Sequence, residues 1–267
     1  MRRLALALVC LLAACAACAQ VVLEPRWPLA KKLVARLDTQ TRSLLSAGAA
    51  PRERESRQTL GYSLTCHKRS DAPGVALDVE FNSCDAGPGS PLAVLAGKRG
   101  RLLLAPDGKL EKVEGSGAWF DALPGKPRLD DAAARKLCGL ELFVQGLDGR
   151  GVKPGDTWTH SESTPFSDGG KLKTVLAYKF VGMERRLGLD CAVLDFTGTV
   201  AAEGGRGLSI TDGKLSGRSL YAPALGLVVS SQTAQDMEID MALPSGERLK
   251  TESHGSVNFE ILAVEGR

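Results

Sequence analysis

From Thr157 to Glu260 the chain alternates apolar and polar residues through one segment after another, and this two-residue period is the strongest constraint on its fold. The segments Thr157–Ser163, Lys171–Val181, Cys191–Ala202, Gly207–Tyr221, Leu227–Ile239 and Glu247–Glu260 follow one another with short Gly- or Pro-bearing breaks. They predict a continuous antiparallel meander. Several exceed the usual strand length, and long twisted strands bend at bulges, so a curved sheet or half-barrel is expected. The first half carries weaker versions of the same signal. Leu33, Ala35, Leu37 and Thr39 alternate with polar residues, as do Leu60, Tyr62, Leu64 and Cys66. After the turn Asp71–Gly74 come Val75, Leu77, Val79 and Phe81, which reads as a hairpin. Arg101–Ala105 and Lys109–Val113 flank Pro106-Asp107-Gly108, a tight-turn signal. The charge-rich stretch Ala49–Arg57 reads as a link, and Gly87–Pro91 as a loop.

One helix is predicted, over about 129–147. Asp130 and Asp131 suit its amino end, and Leu137, Leu140, Val144 and Leu147 recur at helical spacing for packing on the sheet. An internal echo lies on either side of it: Gly100-Arg101-x-Leu103-Leu104-Ala105-Pro106 returns as Gly217-Arg218-x-Leu220-Tyr221-Ala222-Pro223. Two readings stand. The folded part, 20–267, is one β-rich domain in which hairpins converge on Gly, Pro and aliphatics, or it holds two related lobes, 20–127 and 152–267, joined by the helix.

The amino terminus sets the address. Arg2 and Arg3 precede the aliphatic run Leu4–Leu12 and a string of small residues, the order of an export signal and too short for a membrane span. Leu12-Ala13-Ala14-Cys15 resembles the lipobox of bacterial lipoproteins, which implies a lipid on Cys15 and a membrane tether. Ala16 beside it lacks the Asp that in those lipoproteins favours inner-membrane retention, so the resemblance implies the outer membrane. Ala17-Cys18-Ala19 before Gln20 also satisfies the small-x-small rule for ordinary signal peptidase, which would release a soluble periplasmic or secreted chain. Both cuts remain open.

Composition excludes two broad classes. With 43% hydrophobic and 24% charged residues the chain is globular rather than disordered, and its net charge of +3 includes the two leader arginines, so no nucleic-acid footprint exists. In the folded part Cys66, Cys84, Cys138 and Cys191 form an even set without Cys-x2-Cys spacing, which suits structural disulfides better than zinc. Three pairings are possible. The sequence-near one joins Cys66 to Cys84 and Cys138 to Cys191, although the hairpin turning at Asp71–Gly74 sets Cys66 opposite about Val79.

Motifs for catalysis are missing. There is no Gly-x-Ser-x-Gly elbow, and Gly204-Gly205-Arg206-Gly207 lacks the Lys-Ser or Lys-Thr of a phosphate loop. His160 with Glu162, and Glu252 with His254, each share a strand face and are weak metal candidates, because the two-residue spacing arises in any alternating strand. No metal or other cofactor is expected. Trp27, Trp119 and Trp158 read as core plugs before they read as ligand-facing aromatics.

The layout of signal peptide, early strands, Asp107-Gly108-Lys109-Leu110, helix, Val152-Lys153-Pro154-Gly155-Asp156-Thr157-Trp158, Tyr178-Lys179-Phe180-Val181-Gly182 and a Gly-rich strand to Tyr221 resembles a family of exported bacterial proteins of unknown function, β-rich and lipoprotein-like. The resemblance spans most of the mature chain and implies architecture without activity. In shape it is similar to periplasmic lipoprotein carriers, whose curved sheet and helix enclose acyl chains. The expectation is therefore a non-enzymatic envelope protein that binds an apolar ligand or another envelope component, with Leu140, Val144 and Trp158 lining the site. A structural or adhesive surface module is the alternative, and a hydrolase without a linear motif comes third.

Overall fold

The computed structural model describes residues 20–46, 51–87, 91–106, 108–115, 119, 137–165, 170–203, 207–242 and 247–266. The strands are β1 (Val21–Val22), β2 (Lys31–Ser46), β3 (Arg52–Lys68), β4 (Val75–Asp85), β5 (Arg99–Leu104), β6 (Leu110–Glu114), β7 (Gly151–Val152), β8 (Thr157–Pro165), β9 (Lys171–Arg186), β10 (Leu189–Glu203), β11 (Leu208–Ala222), β12 (Leu227–Ala242) and β13 (Arg248–Gly266). A helix, α1, spans Leu140–Val144, and a 3-10 turn spans Pro91–Leu95. Eleven strands form one antiparallel sheet in the order β6-β5-β4-β3-β2-β13-β12-β11-β10-β9-β8, while β1 pairs with β7. The sheet is curved and does not close, and its edges are β6 and β8. Register shifts at Gly61/Tyr62, Val193/Leu194, Ile210/Asp212, Leu220/Tyr221 and Ile261/Ala263 are bulges, which bend and coil long strands.

The order has a simple logic. Two five-stranded meanders, β2–β6 and β8–β12, run across the sheet in the same sense, and β13 joins them by pairing with β2 and β12. The sequence echo falls on equivalent places in the two. Arg101 donates to Asp78 on the adjacent strand, Arg218 donates to Asp195, and both pairs span 23 residues.

One end of the sheet is buried. Leu33, Ala35, Leu60, Tyr62, Leu64, Leu77, Val79, Phe81, Phe259 and Ile261 pack with Leu140 and Phe143 of α1. Phe143 meets the rings of Phe259 at 4.5 Å and Trp27 at 5.5 Å, so the helix and the segment before β2 clamp the same face. A second cluster gathers Leu23, Leu147, Val152 and Trp158 over Leu176, Tyr178, Phe180, Leu194, Phe196 and Tyr221. The Tyr221 hydroxyl donates to the carbonyls of Val22 and Glu24, which fixes the amino-terminal strap against β11.

Two expectations need correction. The charge-rich stretch before Leu60 is not a link, because Arg52–Arg57 begins β3 and pairs with Gln40–Leu45 of β2. Its charges are cross-strand partners: Arg42 pairs with Glu53 and Gln40 donates to Glu55. The disulfide staples are absent, since Cys66, Cys84, Cys138 and Cys191 are all free thiols. Cys66 stands opposite Leu77 whereas Cys84 stands opposite Leu60, seven residues further along β4. That is about 23 Å of strand, far beyond the roughly 4.4–6.8 Å a disulfide spans between Cα atoms. The helix is described only over Leu140–Val144, inside the expected stretch, and Gly139 before it is in the left-handed region (φ 58°) with no side-chain cap. The capping role expected of Asp130 and Asp131 lies outside the described residues, as do Cys15 and Cys18.

Candidate functional site

Away from α1 the long strands continue past the core and form a projecting blade, which has the most distinctive chemistry in the molecule. Successive strand residues point to opposite sides, so the pairing register assigns every blade residue to the helix-bearing face or to the other one. On the helix-bearing face one row crosses six strands as Leu176, Gly198, Leu215, Gln235, Gly255 and Thr41. The next row toward the tip carries Thr174, Val200, Met237, Ser253 and Ser43, and beyond it lie Leu172, Ala202, Ile239, Thr251 and Leu45. Every one of these is uncharged. Among the described residues charge returns on this face at its margins, with Arg54 and Arg52 on β3 and Glu162 on β8.

The opposite face of the same strands is the reverse. Lys173, Lys214, Asp236, Glu238, His254, Glu252 and Arg42 alternate with the uncharged set, and contacts such as the Lys214–Asp212 ion pair and the His254–Asp236 hydrogen bond (2.6 Å) lie on it. Exposure follows the chemistry: on β12 Gln232, Ala234, Asp236 and Glu238 are exposed, whereas Thr233, Gln235, Met237 and Ile239 are half-buried. The uncharged face is thus the more sheltered side of the blade. The arrangement can take an apolar molecule lengthwise, since every methylene it removes from water contributes about 0.8 kcal/mol and no buried charge opposes it.

Where the helix ends over this face, several buried polar atoms lack a protein partner. Tyr178 is 1% exposed and Trp158 7% exposed, their rings stack at 5.3 Å, and neither the Tyr178 hydroxyl nor the Trp158 Nε1 has a hydrogen-bond partner among the described residues. Burial pushes the Tyr178 hydroxyl above its ordinary range, and the nearby Glu162 carboxylate adds to the shift. The guanidinium of Arg150 lies 5.6 Å from the Trp158 ring centroid and is held by Asp148. The Asp148 carboxyl is lowered chiefly by that Arg150 hydrogen bond.

The residues expected from the sequence fall into separate places. Leu140 is 3% exposed in the core under the helix, Val144 is half-buried between the two clusters, and Trp158 joins the second cluster with Tyr178. Cys66 and Cys138 lie in the core, where desolvation pushes each thiol up to about 12. His160 and Glu162 sit on β8, whereas Glu252 and His254 sit on the charged face of β13, five strand intervals or about 24 Å away. The four cannot share an ion. Two polar hollows, of about 570 and 490 Å3, lie on the face away from the helix around Asp78, Arg99 and Arg101 and around Arg36, Arg57 and Asp85. In the first, opposite charges are mutually paired, as Arg101–Asp78 and Arg99–Glu80 show, and in the second Arg36 pairs with Asp38.

No helix of the described residues is long and apolar enough to cross a membrane. No family model matches the sequence, and no curated protein matches it. Among solved structures it is similar to a Bacteroides fragilis protein described as exported and of YmcC-like fold, with 10% identity over 88% of this chain and 97% of that one and a TM-score of 0.28. A likeness at that score carries no argument about activity, which the blade and its buried polar atoms must supply.

Proposed function

We propose that this chain is an exported cell-envelope protein, tethered through lipid on Cys15 and without enzymatic activity of its own, that holds an apolar ligand of the acyl-chain type in the hollow of its curved sheet. The observation that carries the reading is the uncharged, half-buried face shared by β9, β10, β11, β12, β13 and β2 beyond the helix, set against a charged reverse face. A sheet that only needed solubility would carry charge on both sides of a projecting blade. The ligand-contacting residues are those of the blade, with Trp158 at their inner limit. Leu140 holds the helix in place instead, since it is already enclosed by core neighbours.

Native mass spectrometry after gentle purification is the test. Co-purifying acyl lipid is expected, and Val200→Asp or Met237→Asp should abolish it while Ala234→Asp on the reverse face leaves it unchanged. Absence of lipid under every extraction, or equal loss in all three variants, overturns the reading in favour of a structural or adhesive envelope module. The address is tested separately by the intact mass of the native protein, with an acylated chain starting at Cys15 expected. A mature chain starting at Gln20 would overturn the tether and leave the ligand site standing.

A further inference from the structure

We propose that Tyr178, Trp158 and Gln145 form a subsite for the uncharged polar head of a single-chain amphiphile whose tail lies along the blade, a proposal that rests on the apolar-ligand reading of the hollow. Burying a hydroxyl or an indole N–H without a partner is unfavourable, so such atoms are rare in folded cores and each one needs a physical reason. Among the described residues five buried polar side-chain atoms have no partner: Trp27 Nε1, Tyr62 Oη, Gln145 Oε1, Trp158 Nε1 and Tyr178 Oη. Trp27 and Tyr62 lie in the core under the helix, so lacking a partner does not by itself make a site.

Of the other three, Tyr178 and Trp158 lie together at the inner end of the uncharged face, and Gln145 belongs to the turn that covers Tyr178. Tyr178 and Trp158 are paired residues of β9 and β8 whose rings stack with an interplanar angle of 12°. Gly146 lies directly over the Tyr178 hydroxyl, where a Cβ would come within 2.9 Å of it, and Gln145 is the residue before it. Next along β9 on the same face is Leu176, the first member of the long uncharged row. A head group here therefore has its tail aligned with the blade.

Their chemistry narrows the head. Tyr178 and Trp158 offer two donors and want an acceptor oxygen, whereas the Gln145 carbonyl wants a donor. A head with both an ester carbonyl and a hydroxyl, such as that of a monoacylglycerol, satisfies all three. A free carboxylate or phosphate does not suit the place, because Glu162 lies close enough to raise the Tyr178 hydroxyl and the cation over Trp158, Arg150, is engaged by Asp148. Gly146 of the turn after α1 covers the Tyr178 hydroxyl, so head binding requires this turn, in which Gly146 and Gly149 take positive φ (75° and 81°), to shift as the head enters.

The experiment is displacement of N-phenyl-1-naphthylamine, an uncharged apolar dye, by 1-monomyristoylglycerol and by tetradecane. The monoacylglycerol should displace the dye at a concentration at least about tenfold lower than tetradecane, the scale set by hydrogen bonds to otherwise unpartnered buried groups. Tyr178→Phe and, independently, Trp158→Phe should each erase most of that advantage while leaving tetradecane unaffected. Tyr178→Phe should also unfold no earlier than the natural chain, since the hydroxyl it removes has no protein partner, and a purely structural hydroxyl would behave oppositely. Equal competition by the two compounds, or an advantage that survives both substitutions, overturns the subsite with the trough intact. Failure of the dye to bind the natural chain overturns the trough itself and the subsite with it.

Discussion

The two ends of a single strand show how this protein is divided. Leu227-Val228-Val229 at the start of β12 are all buried, whereas Gln232 to Glu238 alternate between exposed and half-buried. β10 repeats the pattern, with Cys191-Ala192-Val193-Leu194 buried throughout and alternation beyond Thr197. A strand covered on both faces needs a continuous apolar run, and a strand with one face toward water needs alternation. The base therefore belongs to the folded core, and the blade is a surface that the core holds out. Residues of similar size thus contribute unequally: stability is concentrated at the base, and recognition is concentrated on the blade.

Truncation at the base should move stability most. Phe143 is fully buried and wedged between Trp27 and Phe259, so Phe143→Ala should cost about 3–5 kcal/mol in denaturant unfolding. Met237→Ala on the blade, where the side chain is half-buried and leaves no enclosed cavity, should cost about 1 kcal/mol or less. Comparable losses at the two positions would contradict the division into base and blade.

A second difference concerns alkali. Cys66 and Cys138 are held up from an ordinary 9.0 to about 12 by burial at the base. For a group raised in the folded state, the contribution is fully present below the unfolded value and is lost as pH rises through the folded one. Stability should therefore hold to about pH 9 and decline toward pH 12, and Cys66→Ala with Cys138→Ala should flatten that decline. In denaturant all four of Cys66, Cys84, Cys138 and Cys191 should react with a thiol reagent without prior reduction. A recovered Cys66–Cys84 bridge would require a register different from the one described.

Much of this division was legible in the sequence, because the runs at Leu227–Val229 and Cys191–Leu194 and the alternation after them are local. The curved antiparallel sheet followed from the same signal. What was not legible depends on which strands become neighbours. Arg52–Arg57 looked like a linker since its charges make sense only beside Arg42 and Gln40, and a bridge from Cys66 to Cys84 looked reasonable until the register placed Leu77 opposite Cys66. The uncharged face was half visible: taking alternate residues from Thr233 to Met241 and from Thr39 to Leu45 isolates it within each strand, but only the strand order aligns the strands. The Tyr178, Trp158 and Gln145 grouping had no sequence signal, since the turn that sets Gly146 over Tyr178 is a tertiary contact.

The weakest effects belong to the reverse face and bear on the sequence echo. Asp78 and Asp195 are both lowered, in each case chiefly by the hydrogen bond from the arginine on the adjacent strand, Arg101 or Arg218. A lowered carboxyl contributes stability above its unfolded value and loses that contribution as pH falls through its folded one, so both pairs should weaken below about pH 4. Both are well exposed to solvent, which screens them, and a double-mutant cycle on Arg101 and Asp78 should give about 0.2–1 kcal/mol. An equal coupling is expected between Arg218 and Asp195, because the two pairs share strand context, the 23-residue span and the same two-contact geometry. Coupling at one pair and none at the other would show that the echo is a likeness of turns and not of energetic roles, even though the two meanders cross the sheet in the same order.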